Sequence, residues 1–246
     1  MKRFLSIISV FLLLNSLLYA QTRDLESLVN QGNDLIKLNK YKSALEKFDD
    51  ALNGLPTYAP ALNGKASVLI LMEEYRQAEK TIDKAMEFNS DYAPFYLTRG
   101  KAYFHRGKYK DALKDFNRGI DLIPNQNDDE LRSEFYVNRG ATHQKLMNFE
   151  QALEDYSKTI QINPNNPDVY LYRGSFYYQN NDYNEAIDDF TKVIDLDPQN
   201  PFAFYNRGMI YLKLQEDDNA CKDFHKACEL GNTNACKMVV SRCIDL

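Results

Sequence analysis

The chain has 246 residues, 44% of them hydrophobic and 26% charged, with a net charge of −5. This is an ordinary globular composition, long enough for one or two domains. Thirty basic residues against thirty-five acidic ones argue against binding a phosphate backbone, which depends on clustered Lys and Arg, so no nucleic-acid partner is expected.

The first twenty residues, MKRFLSIISVFLLLNSLLYA, run from Lys2 and Arg3 through an apolar stretch to Ala20. That charged, apolar, small-residue order reads as a signal peptide over 1–20, followed by a short linker over 21–24. The rival reading is a retained anchor, but the apolar run is broken by Ser6, Ser9, Asn15 and Ser16 and is marginal for spanning a bilayer. No cysteine follows Ala20, so lipoprotein-type acylation is not expected. Cleavage would remove two positive charges and take the net charge from −5 to −7. Nothing further along is apolar enough to cross a membrane. The expectation is an exported protein, periplasmic or extracellular, with no membrane span after signal removal.

From residue 25 onward the chain is periodic. Ala44, Ala78, Ala112, Ala152, Ala186 and Ala220 recur every 34 residues, with one step of 40, and so do Phe48, Ile82, Phe116, Tyr156, Phe190 and Phe224. Gly32, Ala66, Gly100, Gly140, Gly174 and Gly208 keep the same interval. Six units follow, at 25–58, 59–92, 93–126, 133–166, 167–200 and 201–234, with an insertion over 127–132. Each reads as two helices. Tyr96, Gly100 and Tyr103 share one helical face, HRGKY interrupts it, and Ala112, Phe116 and Gly119 share the next. All eight prolines fall at boundaries. Pro56, Pro124, Pro164 and Pro198 follow a second helix, while Pro60, Pro94, Pro167 and Pro201 open a first helix, where a missing N–H costs nothing. A single pair buries too little apolar surface to offset its chain entropy, so the pairs must stack.

The third unit, YLTRGKAYFHRGKYKDALKDFNRGIDLIP, resembles the tetratricopeptide repeat in its aromatic, its Gly–x–x–Tyr, its Ala, its Phe and its closing Pro. The fourth to sixth units match equally well. The first has Leu28 and Leu35 for the aromatics, and the second departs most, with Ala66, Leu69, Ile82 and Ser90 at signature positions. The resemblance implies an all-α fold: a right-handed α-solenoid of six helix pairs, closed by a C-terminal capping helix over 235–246.

Arg99, Arg139, Arg173 and Arg207 recur in the first helices, and sixteen residues after each stands Asp115, Asp155, Asp189 or Asp223. The first two units have Gln31 and Lys65, followed by Lys47 and Thr81. Joint presence in four units and joint absence from two suggest structural ion pairs Arg99–Asp115, Arg139–Asp155, Arg173–Asp189 and Arg207–Asp223. A ladder of arginines reading a ligand is the alternative.

In the family the first helices line a concave groove. Mapped onto this chain, the groove side carries Val29, Asn33, Ile36 and Lys37, then Asn63, Ser67, Ile70 and Leu71, then Leu97, Lys101, Phe104 and His105. Val137, Ala141, Gln144 and Lys145 follow, then Leu171, Ser175, Tyr178 and Gln179, then Tyr205, Met209, Leu212 and Lys213. An apolar stripe flanked by lysines suits an extended or helical peptide with apolar anchors and some negative charge. The basic clamp with which some relatives grip a chaperone's C-terminal carboxylates is not expected. Val29, Pro94 and Thr98 stand where it needs basic residues, and only Asn33 fits.

All four cysteines lie in the last 26 residues, as Cys221 and Cys228, then Cys236 and Cys243. Each pair is seven apart and shares a helix face. If ELGNTN is the turn of an antiparallel hairpin, Cys228 stands opposite Cys236 and Cys221 opposite Cys243. The two rungs would lie about 10 Å apart along the axis, too far for one zinc ion with Zn–S bonds of about 2.3 Å. With an export signal, disulfides Cys228–Cys236 and Cys221–Cys243 are expected, four reduced thiols being the alternative. KACELGNTNAC also resembles the cysteine-rich Sel1-like repeat, in which a comparable pair ties two helices.

His105, His143 and His225 have no metal spacing, and no phosphate loop or nucleophile motif occurs. No catalytic residue, metal or cofactor is therefore expected. The function expected is a non-catalytic exported scaffold that binds a protein or peptide. The alternatives are a structural or self-associating part of a cell-envelope assembly, and the cell-wall-directed hydrolase activity proposed for some Sel1-like proteins.

Overall fold

The computed structural model describes residues 22–123 and 128–243. The signal peptide expected over 1–20 and Pro124 lie outside the described residues, as do positions 21 and 244–246 of the expected linker and cap. Among the described residues the chain forms thirteen helices and no strand. The first is α1 (22–37), followed by α2 (Tyr41–Gly54), α3 (Ala59–Leu71), α4 (Tyr75–Met86), α5 (Ala93–His105) and α6 (Tyr109–Leu122). Then come α7 (Asp129–Lys145), α8 (Phe149–Ile162), α9 (Pro167–Gln179), α10 (Tyr183–Leu196), α11 (Pro201–Lys213), α12 (Asp217–Glu229) and α13 (Thr233–Arg242). They form two compact units, α1–α6 before residue 124 and α7–α13 after it.

The helix starts have local causes. Pro60, Pro94, Pro167 and Pro201 stand in the first turns of α3, α5, α9 and α11. Asn166 and Asn200 add side-chain caps, each accepting a backbone N–H of the following turn, as Asp128 does for Leu131 and Asn232 for Ala235. The Asp128 cap pulls residues 129–132 of the expected insertion into the helix, so α7 has 17 residues where α5, α9 and α11 have 13. Asn232 likewise starts the capping helix at Thr233, two residues earlier than the repeat frame implies.

Inside each pair the turn is made by one residue in the left-handed region: Asn39, Glu73, Gly107, Met147, Asn181 and Gln215. These residues follow the repeat interval, yet only one is a glycine. The turn between α12 and α13 uses Gly231.

The core is the aromatic of the second helix set against a position without a side chain on the first. Phe48, Phe116, Phe190, Phe224 and Tyr156 are fully buried. A Cβ on Gly140 would come within 2.7 Å of the Tyr156 ring, so the backbone of α7 can approach α8 only because that residue is glycine. Phe48 meets two glycines, Gly32 from α1 and Gly64 from α3. Gly64 thus receives the ring of the preceding hairpin, while Ala66, the position that the repeat frame gives to the pair α3–α4, is fully buried in the core with Ala78 and Ile82.

Candidate partner-binding faces

In the first unit the groove-side positions divide between inside and outside. Val29 and Leu97 are buried, not exposed to a partner; Val29 packs with Leu25, Ala44 and Phe48 in the core between α1, α2 and α3. Asn33 and Lys37 are exposed, with Lys37 Nζ 3.0 Å from Asp34. Ile36 and Ile70 are half-buried against the cores beneath them, and Leu71 is exposed. Thr98 Oγ1 donates to Asn63 Oδ1 at 2.8 Å, joining α5 to α3 beside half-buried Ser67.

Lys101 and Phe104 are half-buried. The Phe104 ring packs edge-on to Tyr109 of α6 and to His105. His105 stacks on Tyr75 of α4, with centroids 4.9 Å apart, so its ring is engaged by a second helix. Burial and the nearby Lys101 ammonium lower its basicity, leaving it neutral near pH 7.

In the second unit Val137 and Ala141 are buried, Val137 in the core with Ala152, Tyr156 and Val169. Those positions are claimed by packing between neighbouring hairpins and offer a partner nothing. Gln144 accepts from the Tyr156 hydroxyl at 2.9 Å and donates to Gln179 Oε1 at 3.2 Å, tying α7 to α9. Leu171, Tyr178, Tyr205, Met209 and Leu212 are half-buried, each with one side on a core and the other open. The Ser175 hydroxyl returns to Leu171 O, and Lys145 and Lys213 are exposed.

Phe202 is 60% exposed and shares a face of α11 with Tyr205, Met209 and Leu212, three, seven and ten residues later. The repeat mapping passes over it because Pro94, Glu134 and Asp168 fill that position in the third to fifth units. A helical projection of α11 alone would have found it.

The arginines of the repeated motif are structural. Nε and Nη2 of Arg99, Arg139, Arg173 and Arg207 donate in parallel to both carboxylate oxygens of Asp115, Asp155, Asp189 and Asp223, at 2.7–2.9 Å. The carboxylates are buried and the guanidiniums half-buried. Arg99 lies between the rings of Tyr96 and Tyr103, Arg173 between Tyr170 and Tyr177, and Arg207 between Phe204 and Tyr211. Arg139 has Tyr136 on one side, with His143 in the place of the second ring. Arg99 and Arg207 also reach the second helix of the preceding hairpin, through Asp83 Oδ1 at 2.7 Å and Thr191 Oγ1 at 2.9 Å. These guanidinium groups are occupied by the fold and leave no ladder for a ligand.

At the C-terminal end Cys221 is bonded to Cys243 and Cys228 to Cys236, with Cα–Cα distances of 5.6 and 4.7 Å. The bonds tie α13 to α12 over a core that includes Ala220, Phe224, Ala227 and Ala235. Among the described residues no three His, Cys, Asp or Glu side chains group so as to hold a metal ion, and no helix is long and apolar enough to cross a membrane.

Comparison with known proteins agrees with this architecture. The sequence profile of the tetratricopeptide repeat matches residues 93–126 and 133–166, and related repeat profiles match 156–188, 174–215 and 203–234. The DnaJ homolog subfamily C member 7 homolog of Schizosaccharomyces pombe is 33% identical over 121 residues, 48% of this chain and 25% of that protein. The chain thus spans about a quarter of that relative's length. Among solved structures, the APC/C hetero-tetramer Cut9–Hcn1 aligns with a TM-score of 0.77 at 16% identity, over 95% of this chain and 46% of that one. YrrB, a TPR protein with an unusual peptide-binding site, aligns with a TM-score of 0.50 at 22% identity, over 78% and 97%. These two likenesses show the fold. The matched repeats together cover more than half of the sequence, and the chain belongs to the tetratricopeptide-repeat family.

Proposed function

We propose that this protein is an exported, non-catalytic scaffold that takes a protein or peptide partner on the inner faces of its first helices. The observation that carries this reading is the row Phe202, Tyr205, Met209 and Leu212 on α11, in which Phe202 is exposed and the other three are only partly covered by the core. Exposed Lys213 at its end favours a ligand with apolar anchors and a carboxylate nearby. YrrB, similar in fold, has a peptide-binding site, which supports the same use here. Export is favoured by the charged, apolar and small-residue order at the N-terminus, and by two disulfides in one short hairpin, bonds that persist in oxidising compartments. The disulfide-tied α12–α13 hairpin reads as a Sel1-like cap.

The test is selection of peptides from a random displayed library by the purified chain. Peptides enriched for aromatic or aliphatic anchors with acidic neighbours are expected, with affinity falling at least about tenfold for Phe202→Ala, the loss typical of an interface hot spot. The Phe202 ring is mostly outside the core, so this change should leave melting intact. Selection that enriches no motif, or binding indifferent to Phe202→Ala, would refute the reading.

A further inference from the structure

The α12–α13 hairpin holds two disulfides in unlike surroundings. Cys221 and Cys243 are buried, 7% and 8% exposed, in the core that contains Ala220, Phe224 and Ala227. Cys228 and Cys236 are only half-buried and flank the turn, where Glu229, Gly231, Thr233 and Asn234 are all exposed. Exchange needs a thiolate to reach a sulfur, so the bond at the turn is the one open to it.

Helix electrostatics adds a direction. Exchange breaks the S–S bond with its electron pair on one sulfur, and it runs faster when that departing thiolate is stabilised. Cys236 lies in the first turn of α13, which has no acidic residue, and there the positive end of the helix dipole favours an anion. Cys228 lies in the last turn of α12, at the negative end, where the one cation, Lys226, is paired with Glu229 at 3.2 Å. The charge therefore leaves on Cys236, and the incoming thiolate bonds to Cys228. The buried pair has no such help. Cys221 follows a first turn that carries Asp217 and Asp218, and Cys243 is the C-cap of α13.

The turn also keeps the opened pair together. Gly231, in the left-handed region, reverses the chain, and the Asn232 side chain caps α13 by accepting the Ala235 N–H. The sequence separation is 8, against 22 for the buried pair, so the shorter loop closes again at the smaller entropic cost. Throughout, Cys221–Cys243 still ties the end of α13 to α12.

We infer that Cys228–Cys236 is a thiol–disulfide exchange site, opened by a dithiol reductant through attack on Cys228 Sγ while Cys221–Cys243 stays closed. The first thiolate of the dithiol bonds to Cys228 Sγ as Cys236 departs with the electron pair. The second thiolate then displaces Cys228 from that mixed disulfide. The dithiol ends as a disulfide, and the two cysteines take up the two protons that it lost. Reduction frees the first turn of α13 and leaves its last turn bound. This goes beyond the inner-face reading and uses α12 and α13 alone.

The test is a timed reduction of the folded full chain with dithiothreitol, quenched by alkylation and read bond by bond from peptide masses. Cys228 and Cys236 should be labelled at least about tenfold faster than Cys221 and Cys243. With glutathione, a monothiol, the adduct should sit on Cys228 and the alkyl label on Cys236. Asn234→Asp puts an anion into the exposed first turn of α13 and should slow the release by about twofold or more. Hydrogen exchange of the selectively reduced chain should rise in the first turn of α13 and stay low in α12. Release of both bonds at one rate, release of Cys221–Cys243 first, or four thiols labelled before any reductant overturns the inference. An adduct on Cys236, a rate indifferent to Asn234→Asp, or hydrogen exchange in α13 unchanged by reduction overturns it equally.

Discussion

Lys65 Nζ lies 2.6 Å from Asp49 Oδ1, a link from the first helix of one hairpin back to the second helix of the hairpin before it. Arg99 makes the same backward link, to Asp83, and a forward bidentate one to Asp115. Lys65 has only the backward link, since Thr81 stands where the forward aspartate would be, and the Thr81 hydroxyl turns to Gln77 O. Lys65→Arg with Thr81→Asp should therefore stabilise the first unit by about 1 kcal/mol, the worth of a half-buried bidentate pair. Lys65→Arg alone should be near neutral. Urea unfolding of the three chains checks this, and an equal gain from the single change would show that the forward pair contributes nothing.

At Arg173 the two partners are unequal. Asp189 is almost fully buried and Arg173 is not, and burial holds the Asp189 carboxyl above the ordinary range despite the two hydrogen bonds that it accepts. Arg173→Met leaves that carboxylate buried without a partner and should cost about 3 kcal/mol. The added change Asp189→Leu should recover most of the loss, giving a large coupling in the double-mutant cycle. A raised folded value means that the native state holds the proton more firmly than the unfolded state, so the loss in Arg173→Met should shrink as the pH falls toward 4. A loss that is independent of pH and unrelieved by the second change would place the cost in packing instead.

That pairing was legible because two residue types appear and vanish together at one spacing. Other features were hidden for identifiable reasons. Repeat registration assigns one role to each position, so it does not single out Gly64, which receives Phe48 of the preceding hairpin at a place where the other units have no such glycine. It places Val29, Leu97 and Val137 on an open face, although packing against neighbouring helices buries them. It does not show that His105, which is exposed, also stacks on Tyr75 of α4. Phe202 escaped for the opposite cause: the third to fifth units have no large apolar residue there, so the repeat pattern averaged it away.

The hairpin turns store strain that the sequence can release. Met147 holds a φ of 62°, and its side chain is 73% exposed, so it gains little from contacts. Gly107 occupies the same place one unit earlier, with open space where a Cβ would point. A non-glycine residue in the left-handed region costs roughly 1 kcal/mol, so Met147→Gly should stabilise by about that amount and Gly107→Met should destabilise equally. Thermal melts of both variants give the two signs. Matching signs would mean that the side chains, and not the backbone, decide.

The two disulfides close loops of different size, with sequence separations of 22 and 8. Loop-closure entropy makes the longer one worth roughly 1 kcal/mol more, within a range of about 2–4 kcal/mol each. Paired alanine replacement of Cys221 and Cys243 should lower the denaturation midpoint more than replacement of Cys228 and Cys236, and hydrogen exchange should rise first in α13. Equal midpoints would mean that loop size does not set the difference between the two bonds. Four alkylated thiols in the untreated protein would mean that no bond exists to remove.

His143 stands where Tyr103, Tyr177 and Tyr211 stand in other units, four residues after the arginine. Burial lowers its basicity and the Arg139 guanidinium opposes its proton, and its Nδ1 lies 3.3 Å from Asn148 Nδ2, an amide donor that needs an unprotonated nitrogen. The folded pKa lies below the unfolded one, near 6.5, so the unfolded chain binds the proton more readily. Stability is then full above about pH 6.5 and falls as the pH drops through the folded value. His105, lowered for similar reasons, adds a loss in the same window. His143→Tyr should therefore reduce the drop in melting temperature between about pH 7 and about pH 5 without abolishing it, and it should place a second ring on Arg139. A drop unchanged in His143→Tyr would place the acid sensitivity of this chain outside His143, and not in Asp115 or Asp189, because burial raises both and their titration stabilises the fold on acidification.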